Sequence, residues 1–276
     1  MSQSKKGSFI AVGTGINVAS HITTSARLHI KNADIVFAAQ SCPVGMHLIQ
    51  SLNDNVFNLG DLYDEGKSRV ITYRQMVEHI VKAVHEGKRV CGAFYGHPGV
   101  FVYAAHRAIK QLQQQGFNAR MEPGISAEDC VVADLGFDPG NYGLQAIEVT
   151  QFLFFKHSIN PHHLLIIWQF GLTGDFNFDT LETEKYSHGL AILRDELLAY
   201  YPAEHEVILY EAPTLIIEKP RIERMKLNDI EHCKPTVIST LVIPSIGMPD
   251  YDHEVMERFG ITAKQLEHNL DGLLDD

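Results

Sequence analysis

The sequence predicts an α/β fold. Short apolar runs rich in strand formers alternate with segments of helical period, several runs end in glycine turns, and 276 residues suffice for two lobes or one large one. The first run is Ser8–Gly13, read as a buried strand. Thr14–Asn17 is a tight turn. A helix follows over Ser20–Ala33, and a second strand over Asp34–Ala38. Between residues 71 and 86, Tyr73, Met76, Val77, Ile80, Val81 and Val84 recur at spacings of three and four, which predicts an amphipathic helix stopped by Gly87. Arg89–Tyr95 is a third strand. Val100–Gln115 is a helix stopped by Gly116. This βαβα order favours a parallel sheet covered by helices.

A second part starts near Ala119. Ser126 and Asp129 have the spacing of a capping box, placing a helix over Ala127–Leu135. Apolar runs follow at Ala146–Phe155, Leu164–Gln169, Val207–Tyr210 and Val237–Ile243, with a helix at Gly189–Tyr200 before the third. This half is expected to be α/β with a more mixed sheet. A last helix is expected over His253–Leu274, broken near Gly260. The division predicted is 1–118, 119–250 and a helical segment 251–276.

Composition excludes several classes. Net charge is −11, so a nucleic-acid partner is disfavoured. The four cysteines, Cys42, Cys91, Cys130 and Cys233, form no C-x-x-C pair, so neither a zinc site nor a disulfide framework is suggested, and a reducing cytoplasm fits. The His residues lack metal-ligand spacing. No apolar run approaches the roughly 20 residues that span a bilayer, and no signal peptide is expected.

Chemistry concentrates in a few turns. Gly13-Thr-Gly15 follows a strand, where glycine lets the backbone approach a ligand. The full dinucleotide fingerprint fails, because Val18 stands at its third glycine position. Tyr95-Gly-His97-Pro-Gly-Val100-Phe101 joins a strand end to a helix start, at the edge where open α/β folds bind ligands. Glu122-Pro-Gly-Ile-Ser126-Ala127 is a second such turn. Gln169 and Ser239-Thr240 interrupt apolar strands and need partners. Arg69 and Tyr73 share a face if one helix holds both, with Tyr63 just upstream. A cap formed by Thr72 with Gln75 is the alternative start, and it leaves Arg69 in the loop. An arginine beside a phenol is expected to pull its pKa below the usual value of about 10.

Taken in order, these pieces resemble the tetrapyrrole-methylase family over roughly Phe9–Pro244. Asp61-Leu-Tyr63, Arg69-x-x-x-Tyr73, Gly96-His97-Pro98, Trp168-Gln169 and Tyr210-Glu-Ala-Pro213 resemble its borosin branch, which methylates peptide backbone amides. Typical tetrapyrrole methylases have Gly-Asp-Pro where this chain has Gly96-His97-Pro98. The resemblance implies a two-lobed α/β/α fold with S-adenosylmethionine in the inter-lobe cleft and S-adenosylhomocysteine as product. It assigns cofactor contacts to Gly13, Tyr95, His97, Val100, Phe101, Ser126 and Ala127, and to Gln169, Tyr210, Ala212, Ser239 and Thr240. It assigns the peptide side to Tyr63, Arg69, Tyr73 and Tyr95, with only a short stretch between Tyr63 and Arg69.

The resemblance also implies a homodimer acting on a precursor peptide with a helical leader and an apolar core. Fused members carry that core as a C-terminal tail. This sequence ends at Leu273-Leu-Asp-Asp276 without one, so a separate precursor is expected, as in bacterial split systems. Amide resonance withholds the nitrogen lone pair, so a base must take the N–H proton and a cation must meet the carbonyl oxygen. A tyrosine and Arg69 fill those roles without metal. The alternatives are a methyltransferase acting on a tetrapyrrole, which the acidic balance weighs against, and a precursor-binding scaffold without catalysis.

Overall fold

The computed structural model describes residues 6–64, 66–174 and 183–270. The described residues fall into two compact units. One comprises Met1–Val131 with Ala212–Lys219, and the other Val132–Glu211 with Pro220–Asp276.

The first unit holds a parallel sheet of β1 (Ser8–Gly13), β2 (Ile35–Ala39), β3 (Val56–Asn58), β4 (Arg89–Phe94) and β5 (Asn118–Met121), in the order β3-β2-β4-β1-β5. Helices α1 (Thr24–Asn32), α2 (Pro43–Leu52), α3 (Arg69–His85), α4 (Tyr103–Gln114) and α5 (Ala127–Leu135) connect or follow these strands. Strand alternation divides the core. Phe9, Phe37, Val90 and Phe94 pack with Ile80 and Val84 of α3 and Ala108 and Leu112 of α4. Ile10, Val36, Cys91 and Ala93 point the other way, onto Ala26 and Ile30 of α1 and Ile49 of α2.

Several boundaries depart from the sequence-based expectation. The first unit runs beyond 118, because β5 pairs with β1 and brings residues 118–121 into the first sheet. The first helix begins at Thr24, where the Thr23 side chain accepts from the N–H of Ala26. Helix α2 and strand β3 are additions to the expected elements: α2 has no side-chain cap and announces its start only by Pro43, and β3 is a three-residue edge strand. Helix α3 begins at Arg69 and not at Thr72. Helix α4 begins at Tyr103, because Phe101 has a left-handed φ of 56° that no helix continues through.

The second unit holds α6 (Pro139–Tyr142), α7 (Val149–Phe154) and α8 (Thr183–Leu197). Its mixed sheet comprises β6 (Leu144–Glu148), β7 (Leu164–Trp168), β8 (Glu206–Glu211), β9 (Arg221–Lys226) and β10 (Thr240–Ile243), in the order β6-β7-β10-β8-β9. Only β6 and β7 run parallel. Leu165, Ile167, Leu209, Leu241 and Ile243 form its core with Leu190, Leu193 and Leu197 of α8. The apolar run Ala146–Phe155 splits between β6 and α7, since the Glu148 carboxylate accepts from the N–H of Gln151 and starts a helix there. The Val237–Ile243 run becomes a strand only at Thr240. Helix α8 starts ahead of the expected Gly189. The C-terminal segment forms α9 (His253–Phe259) and α10 (Ala263–Leu270), separated at Gly260, whose φ of 66° ends α9. Residues 271–274 of the expected helix lie outside the described residues.

Candidate active site

Three glycine turns build the carboxyl edge of the parallel sheet. Thr14 donates its N–H to Phe94 O at 2.8 Å, and Gly15 and Gly96 exchange backbone hydrogen bonds of 3.3 and 3.0 Å. Glu122 N–H donates to Ala11 O at 2.9 Å, which draws in the third turn. A Cβ on Gly13 would stand 2.2 Å from Gly96 O, and one on Gly124 would stand 3.2 Å from Gly13 Cα. A side chain at Gly13 is therefore excluded and one at Gly124 would be tight, so this part of the edge is bare backbone. That is the setting a flat cofactor needs for close approach. Glu122 anchors the third turn to α1: Ser25 Oγ donates to it at 2.6 Å, and Arg120 and His29 lie at 3.0 and 3.3 Å. The Ser25 hydrogen bond, with help from Arg120 and His29, outweighs desolvation and holds its carboxyl below the usual range.

The central loop is internally locked. His97 Nδ1 accepts from the Gly99 N–H at 3.0 Å, so in the neutral ring Nε2 carries the proton. Phe101 holds its left-handed backbone while exposing 55% of its surface, and Val100 beside it is also exposed. A bulky residue in that conformation is strained, and such strain clusters at ligand sites. Tyr95 is partly buried. Desolvation pushes its phenol up to about 12, against a hydrogen bond with Ser41 that lowers it. The Ser126–Asp129 capping box forms as expected: the Ser126 N–H and Oγ donate to the Asp129 carboxylate at 2.6 and 2.8 Å. Ala127 then opens α5.

Tyr63, Arg69 and Tyr73 come together. Arg69 is the first residue of α3, which puts it one turn before Tyr73. Tyr63 follows a 3-10 turn at Leu59–Leu62 and lies within electrostatic reach of Tyr73 and Arg69. Tyr73 also stacks on Tyr103, with centroids 6.0 Å apart at 27°. The expected depression of a phenol by arginine does not hold for Tyr63. Burial, followed by the Tyr73 contact, outweighs the Arg69 charge and raises Tyr63 to about 12. Tyr63 therefore keeps its proton near neutral pH.

In the second unit the named residues are more committed. Gln169 caps β7 in a left-handed conformation, φ 56° and ψ 32°. Tyr210 is buried, and its hydroxyl donates to Asp134 at 2.6 Å, so any ligand contact there falls to backbone. Ser239 is buried and donates to Glu211, while Thr240 enters β10 opposite Tyr210. Glu211 is a hub that sequence reasoning passed over. One of its oxygens also accepts from Thr236 Oγ1 and Arg221 Nη1, each at 2.9 Å. Burial raises its pKa, but the bonds from Ser239 and Thr236 and the Arg221 charge outweigh that and leave it below the usual carboxylate range. A charged residue ending an apolar strand was the available signal. Ala212, next in the chain, opens the segment Ala212–Lys219 that belongs to the first unit, where Thr214 O accepts from the Val18 N–H at 2.8 Å.

Among the described residues no group of three or more His, Cys, Asp or Glu could hold a metal ion, and no helix is long and apolar enough to cross a membrane. Residues 8–230 match the family model described as tetrapyrrole (corrin/porphyrin) methylases. The chain belongs to this family. Within it, the chain is 39% identical over 267 residues to a methyltransferase/ribosomally synthesized cyclic peptide gymnopeptides precursor of Gymnopus fusipes, covering 95% of this chain and 63% of that protein. It is 37% identical over 244 residues to a methyltransferase/ribosomally synthesized type I borosin cyclic peptide precursor of Coprinopsis marcescibilis, covering 87% and 62%. The chain thus spans less than two thirds of the length of these relatives. The fold matches uroporphyrin-III-C-methyltransferase from Thermus thermophilus with a TM-score of 0.63 at 15% identity, covering 90% of this chain and 99% of that one.

Proposed function

We propose that the chain is an S-adenosylmethionine-dependent methyltransferase that N-methylates backbone amides of a ribosomal precursor peptide. The observation that carries this is the Tyr63–Tyr73–Arg69 cluster, joined through Tyr103 to the loop that ends at Phe101. The relatives support it, since their names pair a methyltransferase with a cyclic-peptide precursor. A tetrapyrrole acceptor, rich in carboxylates, suits a net charge of −11 less well.

The glycine-walled edge fits the cofactor. Tyr95, His97, Val100, Phe101, Ser126, Ala127 and Ala212, all of the first unit, would hold it. When bound, it supplies an activated methyl group. The chain's own residues deal with the amide. Tyr73, as its phenolate, accepts the N–H proton and becomes the neutral phenol, while Tyr63, which keeps its own proton, supports the phenolate charge before the transfer. Arg69 neutralises the charge that develops on the amide oxygen. We further take the enzyme to be a homodimer supplied with a separate precursor, acting in the cytoplasm, where its free thiols are stable.

The test is mass spectrometry of a leader–core precursor supplied in trans, reading one methyl mass per methylated amide, with light scattering for the dimer. Calorimetry with S-adenosylhomocysteine checks the cofactor separately. Tyr73→Phe and Arg69→Ala are expected to bind the cofactor and keep the fold, yet each loses turnover by about 10²- to 10⁴-fold. Wild-type methylation in Tyr73→Phe would remove Tyr73 from the mechanism.

A further inference from the structure

The start of α3 contains a conflict between sequence and fold. Thr72-x-x-Gln75 has the pattern of a capping box, in which Thr72 Oγ1 would accept from the Gln75 N–H and Gln75 Oε1 from the Thr72 N–H. The helix instead starts at Arg69, and Thr72 lies inside it. Thr72 Oγ1 and Gln75 Oε1 are both buried and both lack a hydrogen-bond partner. They are the two oxygens that the unused cap would satisfy.

The turn that displaces the cap lacks a side-chain cap and is built from residues that disfavour a helix. Ser68, at the observed cap, makes no side-chain capping bond. Val70, Ile71 and Thr72 are consecutive β-branched residues, which lose rotamer freedom in a helix. Val70 and Ile71 are 56% and 49% exposed, so the turn buries little to offset that loss. From Met76 onward the same helix is anchored by Met76, Val77, Ile80, Val81 and Val84.

We infer that α3 has two starts, and that Thr72 and Gln75 are positioning residues that withdraw Arg69 from Tyr73. In the observed start Arg69 stands one helical turn before Tyr73. In the alternative the segment Arg69–Ile71 unwinds, the cap closes at Thr72, and both orphaned oxygens gain a donor. Arg69 then rides on the loop. For an enzyme whose peptide must be admitted and released, this gives a local opening confined to one turn. The assignment to the catalytic cycle rests on the proposed function, but the two-state helix start does not.

Amide hydrogen exchange on the full chain tests the helix start with no substrate or methyl transfer. In the observed start the N–H groups of Tyr73 and Arg74 bond to the carbonyls of Arg69 and Val70. Both bonds break in the alternative. Tyr73 and Arg74 are therefore expected to exchange at least about tenfold faster than the amides of Ile80–Val84, since local opening lies below global unfolding. Thr72→Val removes the hydroxyl while keeping the shape. It is expected to slow exchange at Tyr73 and Arg74 by about tenfold or more and leave Ile80–Val84 unchanged, because the cap is lost and the observed start loses an orphan. Thr72→Ser, which can still cap, should retain fast exchange. Gln75→Met repeats the test should Thr72→Val not fold. Equal protection along α3 in the wild type, or unchanged Tyr73 exchange in the variants, overturns the two-state start. If exchange slows as expected but the turnover of Thr72→Val matches the wild type, Thr72 has no positioning role in the cycle. A severalfold fall in turnover, with cofactor affinity unchanged, supports that role.

Discussion

In the first unit the Tyr63 and Tyr73 phenols interact electrostatically beside Arg69, with Tyr63 half exposed. In the second, Tyr210 and Ser239 are buried and committed to Asp134 and Glu211. Both regions place hydroxyls near the ends of apolar elements. They differ in whether the fold has consumed them. A buried hydroxyl locked to a carboxylate contributes to stability, and removing it takes a donor from that carboxylate. A phenol beside another phenol near the surface remains available to a substrate. The same Tyr→Phe change should therefore report on different properties in the two units.

That contrast is sharpest between Tyr73→Phe and Tyr210→Phe. Tyr73→Phe is expected to cost about 10²- to 10⁴-fold in methylation rate. Its melting temperature should hold, because a partly exposed hydrogen bond contributes only about 1 kcal/mol. Equal loss of stability and activity in this variant would erase the distinction.

Next in size is Glu211→Leu, which leaves Arg221, Thr236 and Ser239 without their shared acceptor. Losing the hydrogen bonds of this partly exposed pair costs about 1.5–3 kcal/mol, the range for hydrogen bonds to a charged group, read as a lower urea midpoint. The pH dependence has a definite sign. The folded Glu211 carboxyl sits below its ordinary value, so its stabilisation is present above the unfolded pKa and is lost as pH falls through the folded one. Wild type should weaken on acidification by more than Glu211→Leu does. Parallel acid curves would show that the hub contributes nothing through its charge.

Tyr210→Phe should cost about 0.5–1.5 kcal/mol, the range for an ordinary hydrogen bond, since the exposed Asp134 carboxylate regains a donor from water. The rate per folded molecule should be unchanged. The smallest effect belongs to Tyr63. Its phenol is raised from 10.0 to about 12, so its contribution to stability is complete below pH 10 and is lost as pH rises through about 12. Tyr63→Phe should flatten that alkaline fall. A Tyr63 phenol ionising near its ordinary value would place the Arg69 charge above burial in setting it.

Much of this architecture was legible in the sequence. Apolar runs bounded by glycine placed β1 and β4, and the three-and-four spacing placed α3. Ser126 and Asp129 announced their own cap, because a capping box involves only neighbours. The family resemblance, rather than local chemistry, nominated Tyr63, Arg69 and Tyr73. Only the tertiary structure decided the rest. Strand β5 joined the first sheet through pairing with β1, more than a hundred residues away. Glu211 became a hub because β9 and the turn before β10 brought Arg221, Thr236 and Ser239 to one oxygen. Thr72 carries a cap signal that the fold overrides, since the anchored helix extends back over it to Arg69. Local hydrogen bonds and periodicity are encoded between near neighbours. Pairing, burial and the resulting pKa values depend on residues that only the packed chain makes adjacent.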